Sequence, residues 1–152
     1  MASKVSEDNF RNVYFSESRE LLDSMETSLL SLERDSTDQD SINSVFRAAH
    51  TIKGNSGMFG YKRIGDFTHV LENLLVCIRN GSINVTPDMV ALFLECHDLI
   101  LLMLDHYEAE KDAPLNKETE NIFNGLILRM NSHLEPGAVT SGKPRASRDE
   151  IE

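Results

Sequence analysis

The chain of 152 residues has no tryptophan, two cysteines, four prolines and no long apolar run. Each shortage excludes something. Cys77 and Cys96 form neither a CxxC pair nor a zinc-ligand spacing, and they fall inside separate helical patterns. Free, buried thiols are therefore expected in place of a disulfide framework. Without a run of about 18 apolar residues, no transmembrane helix is expected. The opening MASKVSEDNF lacks a basic segment followed by an apolar one, so no secretory signal is expected and a cytoplasmic location is the default. Positive charge is short as well: 15 lysines and arginines face 25 aspartates and glutamates, a formal net charge of −10. Such a surface repels phosphate backbones, which argues against nucleic-acid binding.

Strand signals are nearly absent, and what the chain has instead is helical periodicity. Over residues 7–33, Phe10, Tyr14, Leu21, Met25, Leu29 and Leu32 recur at three- and four-residue steps, with Ser18 filling the gap. Arg11, Ser16, Arg19, Glu20, Asp23 and Thr27 make the opposite, solvated face. DSTDQD then supplies capping residues for a second helix with Ile42, Val45, Phe46, Ala49 and Ile52 inward, fading over residues 55–60. A third helix over residues 62–80 turns Ile64, Phe67, Val70, Leu71, Leu74 and Ile78 inward, and Gly81 stops it. Thr86-Pro87 starts a fourth, the most apolar, running to residue 110. After KDAPLN a fifth covers residues 117–134, with Ile122, Phe123, Leu126, Ile127 and Met130 inward.

Short polar connections between amphipathic helices predict an all-α, antiparallel up-and-down four-helix bundle with an additional C-terminal fifth helix. That unit spans residues 1–134. Residues 135–152, EPGAVTSGKPRASRDEIE, have prolines, glycines and small polar residues without apolar periodicity, the composition of a flexible linker or tail. Linker composition running to the last residue leads us to expect that the natural chain continues.

Chemistry concentrates in FRAAHTIKGNSGMFG, residues 46–60. His50 lies off the centre of the second helix's buried stripe, and Arg47, Gly54 and Gly57 share its face by three- and four-residue steps. Glycine costs about 1 kcal/mol against alanine inside a helix. Two of them beside a titratable ring leave bare backbone where a bulky partner can approach. Lys53 adds a positive charge at i+3. On the third helix, His69 and Glu72 are spaced i, i+3 at the edge of the seam with the second. A carboxylate there can accept from one nitrogen of His50, fixing the neutral tautomer and leaving the other nitrogen its lone pair, as a nucleophilic imidazole requires.

Each of these residues also has an ordinary explanation: a helix-edge histidine, a solvated lysine, a surface carboxylate. His50, His69 and Glu72 could converge on a metal, but HxxE with one distant histidine is a weak metal signal, and no second ExxH repeat of a di-iron bundle is present. No nucleophile elbow, GxGxxG or P-loop pattern occurs.

His50, Thr51, Ile52, Lys53, Gly54, Ser56, Phe59 and Gly60, followed by Thr68, His69, Glu72, Asn73, Leu74 and Leu75, resemble the two motifs of the histidine phosphotransfer (HPt) domain family. The likeness is nearest to the N-terminal phosphotransfer domains of chemotaxis histidine kinases and extends over roughly residues 7–131. The resemblance implies that His50 accepts and donates a phosphoryl group through Nε2 and that Glu72 holds Nδ1–H. It implies that Lys53 and His69 complete a polar network, and that Gly54 and Gly57 clear space for a docking receiver domain. The implied partners are a histidine kinase catalytic domain and response-regulator receivers. ATP and Mg2+ come from the kinase domain and Mg2+ from the receiver, with no cofactor in this domain. The isolated domain is expected to be a monomer, a relay substrate without an ATP site of its own. Lys53, Lys62 and Arg63 are expected to offset negative charge on the docking face. The alternative from another class is a helical adaptor that binds receivers or kinases without relaying phosphate.

Overall fold

The chain turns where its apolar periodicity breaks. The computed structural model describes residues 2–134, with side chains from residue 7 onward; the expected linker at 135–152 lies outside the described residues. Five helices follow in order: α1 (Ala2–Arg34), α2 (Gln39–Phe59), α3 (Lys62–Arg79), α4 (Pro87–Glu110) and α5 (Lys117–Leu134). Asp38 caps α2 by accepting from the backbone N–H groups of Asp40 and Ser41. Thr86 caps α4 by accepting from Met89 N–H at 3.2 Å, with Pro87 in the first turn, where its missing donor costs nothing. Among the described residues there is no strand, and no helix is long and apolar enough to cross a membrane.

The tightest connection is the one that matters most for the site. Gly60 adopts φ 85°, a left-handed conformation open to glycine at little cost, and Tyr61 N–H then bonds back to Ser56 O at 2.9 Å. Helix α3 starts at the next residue. Two residues thus reverse the chain, and α2 and α3 lie antiparallel along their length. Helix α1 packs on α2 and α4, while α5 packs against α3 and α4 on the side where those two touch only lightly. The result is the expected four-helix bundle with a fifth helix laid on one side.

On α4, Val90, Phe93, Cys96, Leu99, Ile100, Met103, Leu104 and Tyr107, which recur at helical spacing, are all buried. Cys96 is buried beside Met130, with sulfur atoms 3.8 Å apart, and burial pushes its thiol pKa up; Cys77 is half-buried. Helix α1 departs from its single-stripe reading. Phe15 and Leu22 are buried, because α1 faces two neighbours and needs a wider apolar band. Phe10, expected inward, is 64% exposed. Tyr14 is already level with the end of α2, so one turn earlier there is little left to pack on. Ile122 on α5, also expected inward, is exposed.

Two arginines assigned to the solvated face of α1 are half-buried ties to α4. Arg11 donates from Nη2 to the carbonyls of Tyr107 (2.6 Å) and Glu108 (3.1 Å), closing the last turn of α4, and from Nε to the Tyr61 hydroxyl at 3.0 Å. Arg19 pairs with Asp105 at 2.8 Å and Glu108 at 2.7 Å. Beside them Tyr14 stacks on Tyr61 and meets Phe15 and Phe59 at ring separations of 5.0–5.1 Å.

The Tyr14 hydroxyl is buried and hydrogen-bonded to Ser56 Oγ at 2.7 Å, and burial carries its pKa up to about 12 despite that bond. Tyr14→Phe strands the fully buried Ser56 hydroxyl. A loss of about 1–2 kcal/mol is expected, read as a lower urea midpoint with an unchanged slope.

Candidate functional site

The short Gly60–Tyr61 turn brings His50, ten residues before it, opposite Glu72, eleven residues after it, across the α2–α3 seam. His50 Nδ1 meets Glu72 Oε2, and Lys53, one turn further along α2, donates from Nζ to Glu72 Oε1. The three side chains differ sharply in exposure. The Glu72 side chain is 9% exposed, Lys53 30% and His50 62%. The carboxylate is thus a buried anchor under a ring that faces solvent.

Two effects oppose each other at Glu72. Burial alone pushes its pKa up, but the hydrogen bonds and charges of Lys53 and His50 outweigh it and hold the group below the ordinary carboxylate range. An ionised carboxylate has only acceptor sites, so Nδ1 of a neutral His50 must carry the proton and donate. Nε2 is then the nitrogen with the free lone pair, on the exposed ring.

His69 does not join this group. It is exposed, and among the described residues its side chain makes no hydrogen bond. At i, i+3 it shares a side of α3 with Glu72 but lies on the solvent edge. The residue at i−4 from Glu72, Thr68, fills the seam and donates to Ile64 O at 2.8 Å. Lys62 and Arg63, expected to offset negative charge around the site, are engaged elsewhere. Lys62 pairs with Asp66 at 2.9 Å, and Arg63 turns to α5, where it pairs with Glu120 and covers the Phe123 ring at 3.8 Å. Arg47, at i−3 from His50, is exposed.

Gly54 and Gly57 are exposed, and a Cβ added at either would meet nothing within 4 Å. Internal packing does not demand glycine at these places. The bare strip of α2 continues past them to Met58, which is 77% exposed.

One neighbour of the site was assigned to the core stripe. Phe46 is half-buried, and its ring lies 5.8 Å from the His50 ring at an interplanar angle of 12°. Its position one turn before His50 was the available signal, although helical spacing does not report ring planes. From α3 the Arg79 guanidinium covers Phe46, 3.9 Å from the ring centroid. Among the described residues no group of three or more His, Cys, Asp or Glu side chains is arranged to hold a metal ion.

A sequence model of the Hpt domain matches residues 9–110. The chemotaxis protein CheA of Salmonella typhimurium is 36% identical over 144 residues, covering 93% of this chain and 22% of that protein. The chemotaxis protein CheA of Bacillus subtilis is 33% identical over 147 residues, covering 94% of this chain and 22% of that protein. The chain therefore spans about a fifth of the length of these relatives. Among solved structures, the phosphorylated P1 domain of CheA3 in complex with CheY6 from R. sphaeroides superposes with a TM-score of 0.73 at 26% identity, covering 82% of this chain and 97% of that one. The solution structure of the histidine phosphotransfer domain of CheA gives 0.72 at 29% identity, covering 92% and 98%.

The electrostatics of Glu72 predict an acid limb in stability. Its folded pKa is depressed, so its contribution is present above the unfolded carboxylate value, about 4.3, and is lost as pH falls through the folded value. Glu72→Gln is expected to cost about 1–3 kcal/mol at pH 7 and to flatten the decline between pH 5 and 3. Urea midpoints of both proteins across that range measure it.

Proposed function

The chain belongs to the Hpt domain family, and from that premise we propose that His50 relays a phosphoryl group. It receives the group from the catalytic domain of an ATP-dependent, chemotaxis-type histidine kinase and passes it to the aspartate of a response-regulator receiver. The observation that carries this reading is the division of labour within one ring: Nδ1 is committed to buried Glu72, and the ring bearing Nε2 is exposed. The CheA3 P1 domain, a structure of the same fold, was captured phosphorylated and in complex with CheY6, which supports both the chemistry and the class of receiver.

The Nε2 lone pair attacks the γ-phosphorus of ATP in line, an N–P bond forms, and the bond from that phosphorus to the bridging oxygen breaks with its electron pair leaving on ADP. The imidazole keeps its Nδ1 proton and becomes more positive, and the Glu72 carboxylate answers that charge. In the second transfer a receiver carboxylate oxygen attacks the same phosphorus, and the N–P electron pair returns to Nε2. Lys53 moderates the carboxylate and sets a cation beside incoming phosphoryl oxygens. Mg2+ would be held by the partner domains and would supply charge neutralisation at the phosphates. We place the domain in the cytoplasm, as a monomer when isolated from the rest of its chain.

The glycines fit the same reading, since neither answers to internal packing and both lie within two turns of His50. Orientation needs rigidity, docking needs clearance, and a two-helix seam with a bare strip beside it supplies both.

Two experiments test the proposal. Incubated with a separate chemotaxis-kinase catalytic core and Mg-ATP, the chain should gain one acid-labile phosphoryl group by intact mass, and His50→Gln should gain none. Retained receiver binding without phosphorylation of the wild-type chain would instead point to an adaptor. At Gly57, alanine should raise stability by about 0.5–1 kcal/mol, because its Cβ meets nothing. Leucine should fold yet slow transfer from phosphorylated His50 to the receiver at least several-fold. Equal transfer rates for Gly57 and Gly57→Leu would remove the clearance role.

A further inference from the structure

Glu72 leaves the His50 ring one freedom. A single hydrogen bond at Nδ1 decides which nitrogen points outward, but a ring with 62% of its side chain exposed can still swing about that bond. In-line attack needs the lone pair aimed, and a small misalignment of reacting groups is costly in rate. Blocking the swing takes a surface parallel to the ring.

Phe46 is that surface. It sits one turn before His50 on α2, with ring centroids 5.8 Å apart and planes 12° from parallel, inside the range of offset aromatic stacking. Phe46 is itself only half-buried, and the Arg79 guanidinium covers its ring at 3.9 Å. Arg79 comes from α3, two turns beyond Glu72, so the same seam that sets the hydrogen bond also sets the brace. The contact described for Arg79 is this ring and not a carboxylate.

We propose that Phe46 and Arg79 are positioning residues for phosphoryl acceptance: Phe46 holds the plane of the His50 imidazole, and Arg79 holds Phe46. Neither touches the reacting atoms. The role rests on the relay reading of His50, and it divides orientation into two parts. Glu72 selects the nitrogen, and the Arg79–Phe46 column fixes its direction.

The test pairs NMR of the His50 ring with single-turnover phosphorylation of the same chain by a kinase core and Mg-ATP. Phe46→Leu should move the His50 ring protons downfield as the stacking ring current is lost. It should slow the phosphorylation step roughly three- to tenfold, with the KM of the kinase core for this chain unchanged. Phe46→Tyr should restore both. Arg79→Gln removes an exposed side chain and should leave the fold intact, slow the step roughly two- to fivefold, and leave the Nδ1–H tautomer unchanged; Arg79→Lys should recover part of the loss. A phosphorylated wild type with Phe46→Leu at the wild-type rate, or with unshifted His50 protons, would overturn the role of Phe46. An indifferent Arg79→Gln would overturn the brace. A wild-type chain that takes no phosphoryl group would overturn the relay reading itself.

Discussion

Glu72 is a carboxylate removed from water at the α2–α3 seam, and such a group is costly unless its charge is met. Lys53 meets it on one oxygen and His50 on the other. The arrangement is reciprocal. The lysine and the ring stabilise the anion in its buried place, and the anion in turn decides the tautomer of the ring. Because one oxygen is held by a fixed positive charge, the carboxylate cannot turn away from His50 without losing Lys53. Under the proposed relay, exposure of the histidine and burial of its partner are two sides of one requirement: a nucleophile must be reachable, and whatever orients it must not move.

The two-residue reversal at Gly60–Tyr61 makes that geometry inevitable. Residues at similar distances from a tight helical hairpin face each other, so His50 meets Glu72, while Arg79, one turn further from the reversal than Phe46, reaches back to that ring with its long side chain. A longer connection would loosen that register. Much of the rest of the fold can be read as support for this pair of helices. Helix α1 buries the far side of α2, and α5 covers α3 where α4 reaches it only lightly.

Helical periodicity made most of this legible beforehand. The helices α2 to α5 begin and end close to where caps, prolines and glycines place them, and the buried face of α4 is the one its spacing selects. Periodicity is measured along one helix and does not count neighbours. Hence α1, with partners on two sides, buries Phe15 and Leu22 and draws Arg11 and Arg19 out of the solvated face. At the site, the opposition of His50 and Glu72 was legible because it depends on backbone register. The isolation of His69, the diversion of Arg63 to Glu120 and the stacking of Phe46 were not. Each depends on how far a side chain reaches and which way it turns, and residue spacing is silent on both.

The tie made by Arg11 has a consequence for kinetics. Its hydrogen bonds join residues 50, 96 and 97 positions apart, whereas the His50–Glu72 bond closes over 22. Distant contacts carry the larger loop-closure entropy and are expected to form after the compact hairpin of α2 and α3. Interactions absent from the folding transition state set the unfolding rate more than the folding rate. The aromatic end of the bundle, clasped by Arg11, is then expected to act as the latch whose opening sets the lifetime of the folded domain. The His50–Glu72 pair, by contrast, belongs to the compact hairpin that is expected to assemble first.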